Sequence, residues 1–149
     1  MKAWSALAVV TCFSLSACGS PDFWMIEASK KAASERLKDP PSARFPVDPF
    51  IVRNQRKDGL ELVAVCGMID GKNGFGAYSG GTRFVAWNVV GKNEDSTAPY
   101  QVEMDDGDGR ATAASQYTEY PTTSFEDVHW NKSCVDAVHP ATHTGRQPY

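Results

Sequence analysis

The sequence predicts an α+β domain: a small, mostly antiparallel sheet with one helix before it and one after it. Leu60, Leu62, Ala64 and Cys66 alternate with their neighbours as in a strand, and the run 82–90 is rich in β-branched and aromatic residues. Segments 22–38 and 125–138 carry helix-start and helix-stop residues. With 149 residues, 42% of them hydrophobic, and a net charge of −3, the chain has the size of one domain and no basic excess that would favour nucleic acid.

The first residues have the composition of an export signal. Lys2 supplies a positive charge, and the stretch 3–15 is apolar but too short to span a bilayer as a stable helix. It ends in Leu15-Ser16-Ala17-Cys18, which resembles the lipobox of bacterial lipoproteins. The resemblance implies that residues 1–17 are a cleaved signal peptide, that Cys18 is acylated, and that 18–21 form a short lipidated tether. The alternative is an ordinary signal peptide that happens to end near a cysteine.

The same resemblance implies a location in the cell envelope. Gly19 and Ser20 follow the cysteine, with no Asp directly after it. In envelopes of the enterobacterial type this pattern implies sorting to the outer membrane with the domain facing the periplasm, and the inner membrane is the alternative. The membrane would then be one partner of the chain, through the N-terminal lipid.

The lipoprotein resemblance assigns a role to each of the four cysteines. Of the four, Cys12 leaves with the signal peptide and Cys18 takes the lipid, so Cys66 and Cys134 remain. In an oxidising periplasm these two are expected to form a disulfide, which would stabilise the fold by roughly 4 kcal/mol. Two unpaired buried thiols are the alternative.

The N-terminal helix is predicted from Ser20, its cap, and Pro21 at its first position. It should run from about Asp22 to Lys38, with a thin apolar stripe, and end before Pro40. The stripe consists of Ile26, Ala33 and Leu37. The predicted strands are Phe50–Val52, Leu60–Met68, Thr82–Val90 and Tyr100–Met104, and the turn Lys57-Asp58-Gly59 should join the first two.

The second helix is predicted from Phe125 to Val138, with Ser124-x-x-Asp127 as an approximate capping box and Pro140 as its stop. At helical spacing its apolar arc comprises Val128, Trp130, Cys134, Val135, Ala137 and Val138. Its polar face comprises Glu126, His129, Lys132, Ser133 and Asp136. Residues 22–138 should therefore form the domain, and 139–149 a flexible tail.

A second resemblance covers much of this domain. The segments that carry it are Arg36-Leu37-Lys38-Asp39-Pro40, Ser42-Ala43-Arg44-Phe45, Val65-Cys66-Gly67, Lys72-Asn73 with Phe75-Gly76, Tyr78 and Gly80, and Trp130-x-x-x-Cys134. They are similar to small uncharacterised secreted bacterial and phage-associated proteins. The resemblance implies one folded unit with a cysteine pair and implies no particular chemistry.

The glycine-rich stretch 70–81 is the candidate binding loop. Its glycines allow positive φ and close approach of a ligand, and its polar side chains offer hydrogen-bond donors and acceptors. The candidate binding residues are Asp70, Lys72, Asn73 and Tyr78, with Arg83 beyond them. A tight turn with bulges between two strands is the alternative. The loop is not a P-loop, because its Gly-Lys is followed by Asn and a strand-like run.

No pattern indicates a metal, a cofactor or a catalytic group. The acidic turn 105–109 lacks the oxygen ligands that an EF-hand needs at its later positions. His139 and His143 are four residues apart, but Pro140 between them argues against a shared helical face. No serine elbow is present, so we expect neither a catalytic site nor a bound metal.

The sequence thus favours a lipoprotein that binds, assists or inhibits an envelope protein or glycan without being an enzyme. One alternative is a small cell-wall hydrolase, which would need two carboxylates in one cleft at about 5–9.5 Å. The other is a structural subunit that uses exposed aromatics such as Trp24, Tyr117 and Tyr120 in a larger assembly.

Overall fold

The computed structural model describes residues 20–55, 59–78, 80–91, 98–105 and 107–147. The predicted signal peptide and Cys18 lie outside these residues, as do Lys57 and Asp58 of the predicted turn. Within the described ranges, no helix has both the length and the apolar character needed to cross a bilayer.

Helix α1 (Pro21–Ser34) begins as predicted. The Ser20 hydroxyl accepts a hydrogen bond from the Phe23 N–H at 3.3 Å, and Pro21 occupies the first helical position, where a missing N–H costs nothing. The side of the helix that faces the sheet is built from residues four apart in sequence, and its buried members are Met25, Ser29 and Ala33.

Helix α1 ends at Ser34, whereas the sequence predicted an end at Lys38. The Ser34 hydroxyl donates to the Lys30 carbonyl at 2.7 Å, and the Leu37 N–H donates to the Ser34 carbonyl, three residues back, at 3.0 Å. Such tightened bonds close a helix end. Leu37, predicted on the helical stripe, packs against the core from the turn that follows the helix.

Four antiparallel strands form one sheet in the order β1-β2-β3-β4. They are β1 (Phe50–Gln55), β2 (Glu61–Ile69), β3 (Thr82–Val90) and β4 (Gln101–Met104). Strand β3 has the predicted bounds. The α+β class and the antiparallel sheet between two helical segments are confirmed.

The sheet separates two apolar clusters, and alternation along β2 supplies both. Val63 and Val65 point towards α1, whereas Ala64 and Cys66 point to the opposite face. The cluster under α1 also contains Met25, Ala33, Ile69, Phe84 and Ala86. The opposite cluster also contains Val85, Trp87, Phe125, Trp130 and Cys134. Because both faces are covered, the central strands are buried almost throughout.

The C-terminal helix begins at Ser124, continues as a π-helical turn, Glu126–Trp130, and ends in α2 (Asn131–Ser133). It is shorter than the predicted 125–138. Glu126, predicted on the polar face, is fully buried, and Val128, predicted on the apolar arc, is 54% exposed. The π turn explains both errors, because both residues lie within it and its wider i→i+5 bonds rotate them away from the positions that a regular 3.6-residue period predicts.

The cap of this helix lies one residue earlier than predicted. The Thr123 N–H donates to Glu126 Oε2 at 3.0 Å, and the Glu126 N–H donates to Thr123 Oγ1 at 3.2 Å, which is a reciprocal capping box. Asp127, the predicted partner of Ser124, accepts instead from Thr122 Oγ1 at 2.5 Å. Burial explains why the capping box starts at Thr123 and not at Ser124. An N–H without a hydrogen bond costs more free energy at the buried Thr123 than at the exposed Ser124.

The predicted disulfide is confirmed: Cys66 of β2 is bonded to Cys134, with the two Cα atoms 5.8 Å apart. Beside it the Trp87 indole N–H donates to Ser133 Oγ at 3.0 Å. The C-terminal helix is therefore fixed to the sheet by a covalent bond and a neighbouring hydrogen bond.

The segment predicted as a flexible tail is hydrogen-bonded to the domain where the structure describes it. The Thr142 N–H donates to Asn131 Oδ1 at 2.9 Å, and the Asn131 amide donates back to the Thr142 carbonyl at 2.8 Å. Arg146 forms an isolated bridge with Arg110. Residues 142–146 thus pack with the folded unit.

The buried hydroxyl of Ser29 gives a test of packing under α1. Its Oγ is fully buried and has no hydrogen-bond partner among the described residues. We expect Ser29→Ala to raise the free energy of unfolding by about 1 kcal/mol, because a desolvated unpaired hydroxyl is unfavourable. Ala28→Ser, at a partly exposed position in the middle of the same helix, measures the difference in helix propensity between Ser and Ala. In urea denaturation, a gain from Ser29→Ala no larger than the loss from Ala28→Ser would contradict the prediction.

Removal of the disulfide should cost a large part of the stability. For the double variant Cys66→Ala/Cys134→Ala we expect the free energy of unfolding to fall by about 4 kcal/mol, since the unfolded chain regains the entropy of an open loop. Guanidinium denaturation followed by tryptophan fluorescence measures the change. Wild type reduced with dithiothreitol is the matched control and should lose a similar amount of stability, and a double variant as stable as oxidised wild type would refute the expectation.

Candidate functional site

The five candidate binding residues fall into two separate places. Asp70, Lys72, Asn73 and Tyr78 lie in the loop that joins β2 to β3. Arg83 lies inside β3 and points into a different cluster, which involves the C-terminal helix. The sequence prediction had grouped all five.

Asn73 holds the loop in shape. Its Oδ1 accepts hydrogen bonds from the N–H groups of Phe75 at 2.9 Å and of Ala77 at 3.2 Å. Its own N–H donates to the Ala77 carbonyl at 2.8 Å, and Gly76, at φ 79°, donates to the Asn73 carbonyl. The oxygen of the Asn73 side chain is therefore committed to the loop itself, as in an Asx turn.

Arg44 fastens the base of the loop, a role that the sequence analysis did not assign. Arg44 and Asp70 exchange two backbone hydrogen bonds of 2.9 Å, and the Arg44 Nη2 lies 2.6 Å from Asp70 Oδ2. The guanidinium also lies over the Tyr78 ring, 3.7 Å from its centroid. The Tyr78 hydroxyl donates to the Ser42 carbonyl at 3.1 Å.

Four side chains at this end of the sheet face solvent, and we call Arg44, Lys72, Phe75 and Tyr78 the loop surface. Phe75, at the tip, is 98% exposed. The Lys72 ammonium lies 6.0 Å from the Tyr78 ring centroid. Its backbone N–H donates to Ser42 Oγ at 2.8 Å, so the loop is tied at this point as well. The surface combines an exposed apolar tip with two cations and a braced tyrosine.

Arg83 is largely buried and already bonded. Its Nε and Nη2 donate to Asp105 Oδ2 at 3.1 and 2.8 Å, and its Nη1 donates to Glu126 Oε1 at 3.0 Å. The guanidinium is flanked by the rings of Phe125 and Trp130, with centroids at 5.5 and 5.4 Å. The geometry makes Arg83 a brace between β3 and the C-terminal helix.

The Glu126 carboxylate is the centre of this cluster. Besides Arg83 and Thr123, it accepts from the Thr144 N–H at 3.0 Å and from the Thr144 hydroxyl at 2.9 Å. Burial favours the neutral form, but the hydrogen bonds, above all from the backbone N–H groups of Thr144 and Thr123, outweigh it and lower the pKa of Glu126 to about 2. The side chain is thus a buried, ionised group with all its donors supplied by the protein.

A cleft of about 340 Å³ opens beside Arg83. Its lining residues are Met68, Gly81, Thr82, Arg83, Asp105, Gly107 and Thr144. The Arg83 guanidinium lies in the wall of this cleft and binds two carboxylates, those of Asp105 and Glu126. Glu126 lacks the raised pKa that a general acid requires, because its hydrogen bonds stabilise the ionised form.

The acidic turn and the histidines have local partners. Asp105 Oδ1 accepts from the Gly107 N–H at 3.1 Å, and the Arg110 N–H and guanidinium bond to Asp108 and lower its pKa. His139 stacks on Phe50 with ring centroids 3.6 Å apart. In the described part of the chain, no three His, Cys, Asp or Glu side chains are grouped as metal ligands would be.

The buried carboxylate predicts a stability that depends on pH. Its folded pKa of about 2 lies below the ordinary 4.5, so the unfolded chain binds more protons between these values. The contribution is complete above about pH 4.5 and is lost as the pH falls towards 2, with a size on the order of 3 kcal/mol. Urea denaturation across this range should show a much flatter pH dependence for Glu126→Gln than for wild type. Glu119→Gln, at an exposed site, should keep the wild-type slope, and equal slopes in all three proteins would contradict the assignment.

Comparison with models of protein families, with curated proteins and with solved structures finds no match to this chain.

Proposed function

We propose that this chain is an envelope lipoprotein, acylated at Cys18, whose domain binds another envelope protein through the loop surface. The proposed location is the outer membrane, with the domain in the periplasm. The observation that carries the binding role is the tip of the loop: Phe75 is 98% exposed although the backbone around it is fixed by Asn73.

An exposed aromatic on a rigid loop favours a binding role on energetic grounds. An exposed phenyl ring gives nothing to the stability of the free domain, but it gains on being buried by a partner. A loop already held by hydrogen bonds loses little conformational entropy on binding. Tyrosine, arginine and other large side chains of this kind dominate the binding energy of protein interfaces, which favours a protein over a glycan as partner.

The disulfide supports the proposed compartment. Stable disulfides form in oxidising compartments such as the periplasm and are rare in the bacterial cytosol. The Cys66–Cys134 bond is therefore compatible with the export that the lipobox resemblance implies.

Lipidation is tested by metabolic labelling of the full-length chain with an alkyne fatty acid. Wild type should incorporate the label, and Cys18→Ser should not, because the acceptor thiol is gone. Cys12→Ser is the matched control, since it removes the other cysteine of the leader region, and it should label as wild type does. Intact-mass analysis of the purified protein should show an acylated chain that starts at Cys18. An unlabelled wild type would refute the anchor.

The loop surface is tested by photo-crosslinking in intact cells. Phe75→Ser should reduce recovery of the crosslinked partner at least about tenfold, as expected for a central interface residue. Tyr117→Ser, which alters an aromatic that is 84% exposed elsewhere on the domain, should leave recovery unchanged. Protease digestion of the adduct separates a protein partner from a glycan. Equal recovery with both variants would exclude the loop surface as the binding site.

A further inference from the structure

Two large aromatic side chains stand exposed in the first turn of α1. Phe23 is 48% and Trp24 is 51% exposed, and their rings contact each other edge to face with centroids 5.2 Å apart. The sheet-facing side of the helix is occupied by other residues, beginning with Met25. Neither ring is therefore part of the hydrophobic core.

This apolar surface is confined to a single turn. On the helical positions that follow, the outer side carries Glu27 and Lys31, and the Glu27 carboxylate pairs with the ammonium of Lys30, on the flank of the helix, at 2.8 Å. The outer side of α1 is thus aromatic at its beginning and charged along its length. A helix of this pattern cannot lie flat in an apolar phase, but its first turn can enter one.

The segment that precedes α1 is short, and it limits the distance between the proposed lipid anchor and this turn. Cys18 is three residues before Pro21, a reach of at most about 11 Å when extended. A diacylglycerol on Cys18 would hold the bilayer surface within that reach of the helix start. We propose that Phe23 and Trp24 insert into the headgroup–acyl boundary of this bilayer and that α1 stands upright on it; the inference rests on the proposed lipid anchor.

A lipid surface fits this pair better than a second copy of the chain does. Trp is enriched at membrane interfaces, where its ring meets the apolar edge and its N–H meets the headgroups. Two half-exposed side chains offer far less than the roughly 800 Å² per partner that a stable dimer buries. Insertion adds a second membrane contact beside the acyl chains and so restricts the orientation of the domain.

The test uses the exported protein, which starts at Cys18 and so lacks Trp4, on vesicles of phosphatidylethanolamine and phosphatidylglycerol with and without bromines on the acyl chains near the headgroup. Bromine quenches tryptophan only at close range. Trp87 and Trp130 are 7% and 8% exposed and give a constant background. The difference in fluorescence between wild type and Trp24→Phe is therefore the emission of Trp24. We expect brominated lipid to reduce this difference roughly twofold.

A second reporter tests the upright orientation. Phe75→Trp in the Trp24→Phe background places an exposed indole on the loop surface, at the far end of the domain, and brominated lipid should leave its emission unchanged. Phe23→Gln should weaken quenching of Trp24, because the pair inserts together, whereas Tyr117→Gln should not.

The outcomes separate this inference from the proposed anchor. If Cys18 is acylated but Trp24 is not quenched, the insertion of the aromatic pair is overturned and the anchor stands. The same holds if native mass spectrometry shows a dimer that shields Trp24 from bromine. Quenching of both reporters means that the domain lies flat and likewise overturns it. Quenching of Trp24 without acylation supports the aromatic contact and refutes the anchor. Loss of both acylation and quenching overturns both proposals.

Discussion

Burying the carboxylate of Glu126 requires three separated segments to be in place at once. Its hydrogen-bond donors come from β3 through Arg83, from the helix cap through Thr123, and from the segment 142–146 through Thr144. Transfer of a carboxylate out of water costs several kcal/mol unless such donors replace the water. The charge is therefore tolerated only when all three segments have converged, and this couples the C-terminal third of the chain to the sheet.

The disulfide complements this charge at the other end of the same helix. Glu126 and Cys134 bracket the C-terminal helix, and one attaches it to β3 and the other to β2. The two attachments act by different physics: the disulfide mainly restricts the unfolded chain, whereas the carboxylate stabilises the folded state only while it is ionised. The rings of Phe125 and Trp130, which flank the Arg83 guanidinium, shield the ion pair from water.

The elements predicted most accurately from the sequence are those with a clear local pattern of apolar residues. Strand β3 was predicted to the residue and β2 to within one residue. The Cys66–Cys134 pair was predicted from the count of cysteines that remain if residues 15–18 are taken as a lipobox. Glu126 was assigned to the polar face because a π turn leaves no signal in the residue types and a regular helical period was assumed. Arg44 was missed because its partner, Asp70, is 26 residues away and only the fold brings them together. Arg83 was grouped with the loop by nearness in sequence, although alternation along β3 turns it towards the opposite cluster.

The course of α1 across the sheet relates the two proposed contacts to one another. Near its start, Asp22 and Glu61 both pair with Arg53, so this end lies at the β1–β2 turn. Leu37, just after the helix, contacts Gly71 at the other end of β2, where the loop surface begins. The 14 residues of α1 rise about 21 Å between these ends, at 1.5 Å per residue. With the proposed anchor at Cys18, the loop surface would project away from the bilayer by about this distance, because α1 and β2 together form a rigid spacer. A partner would then be met in the aqueous periplasm, beyond the headgroups, without a long flexible tether between lipid and domain.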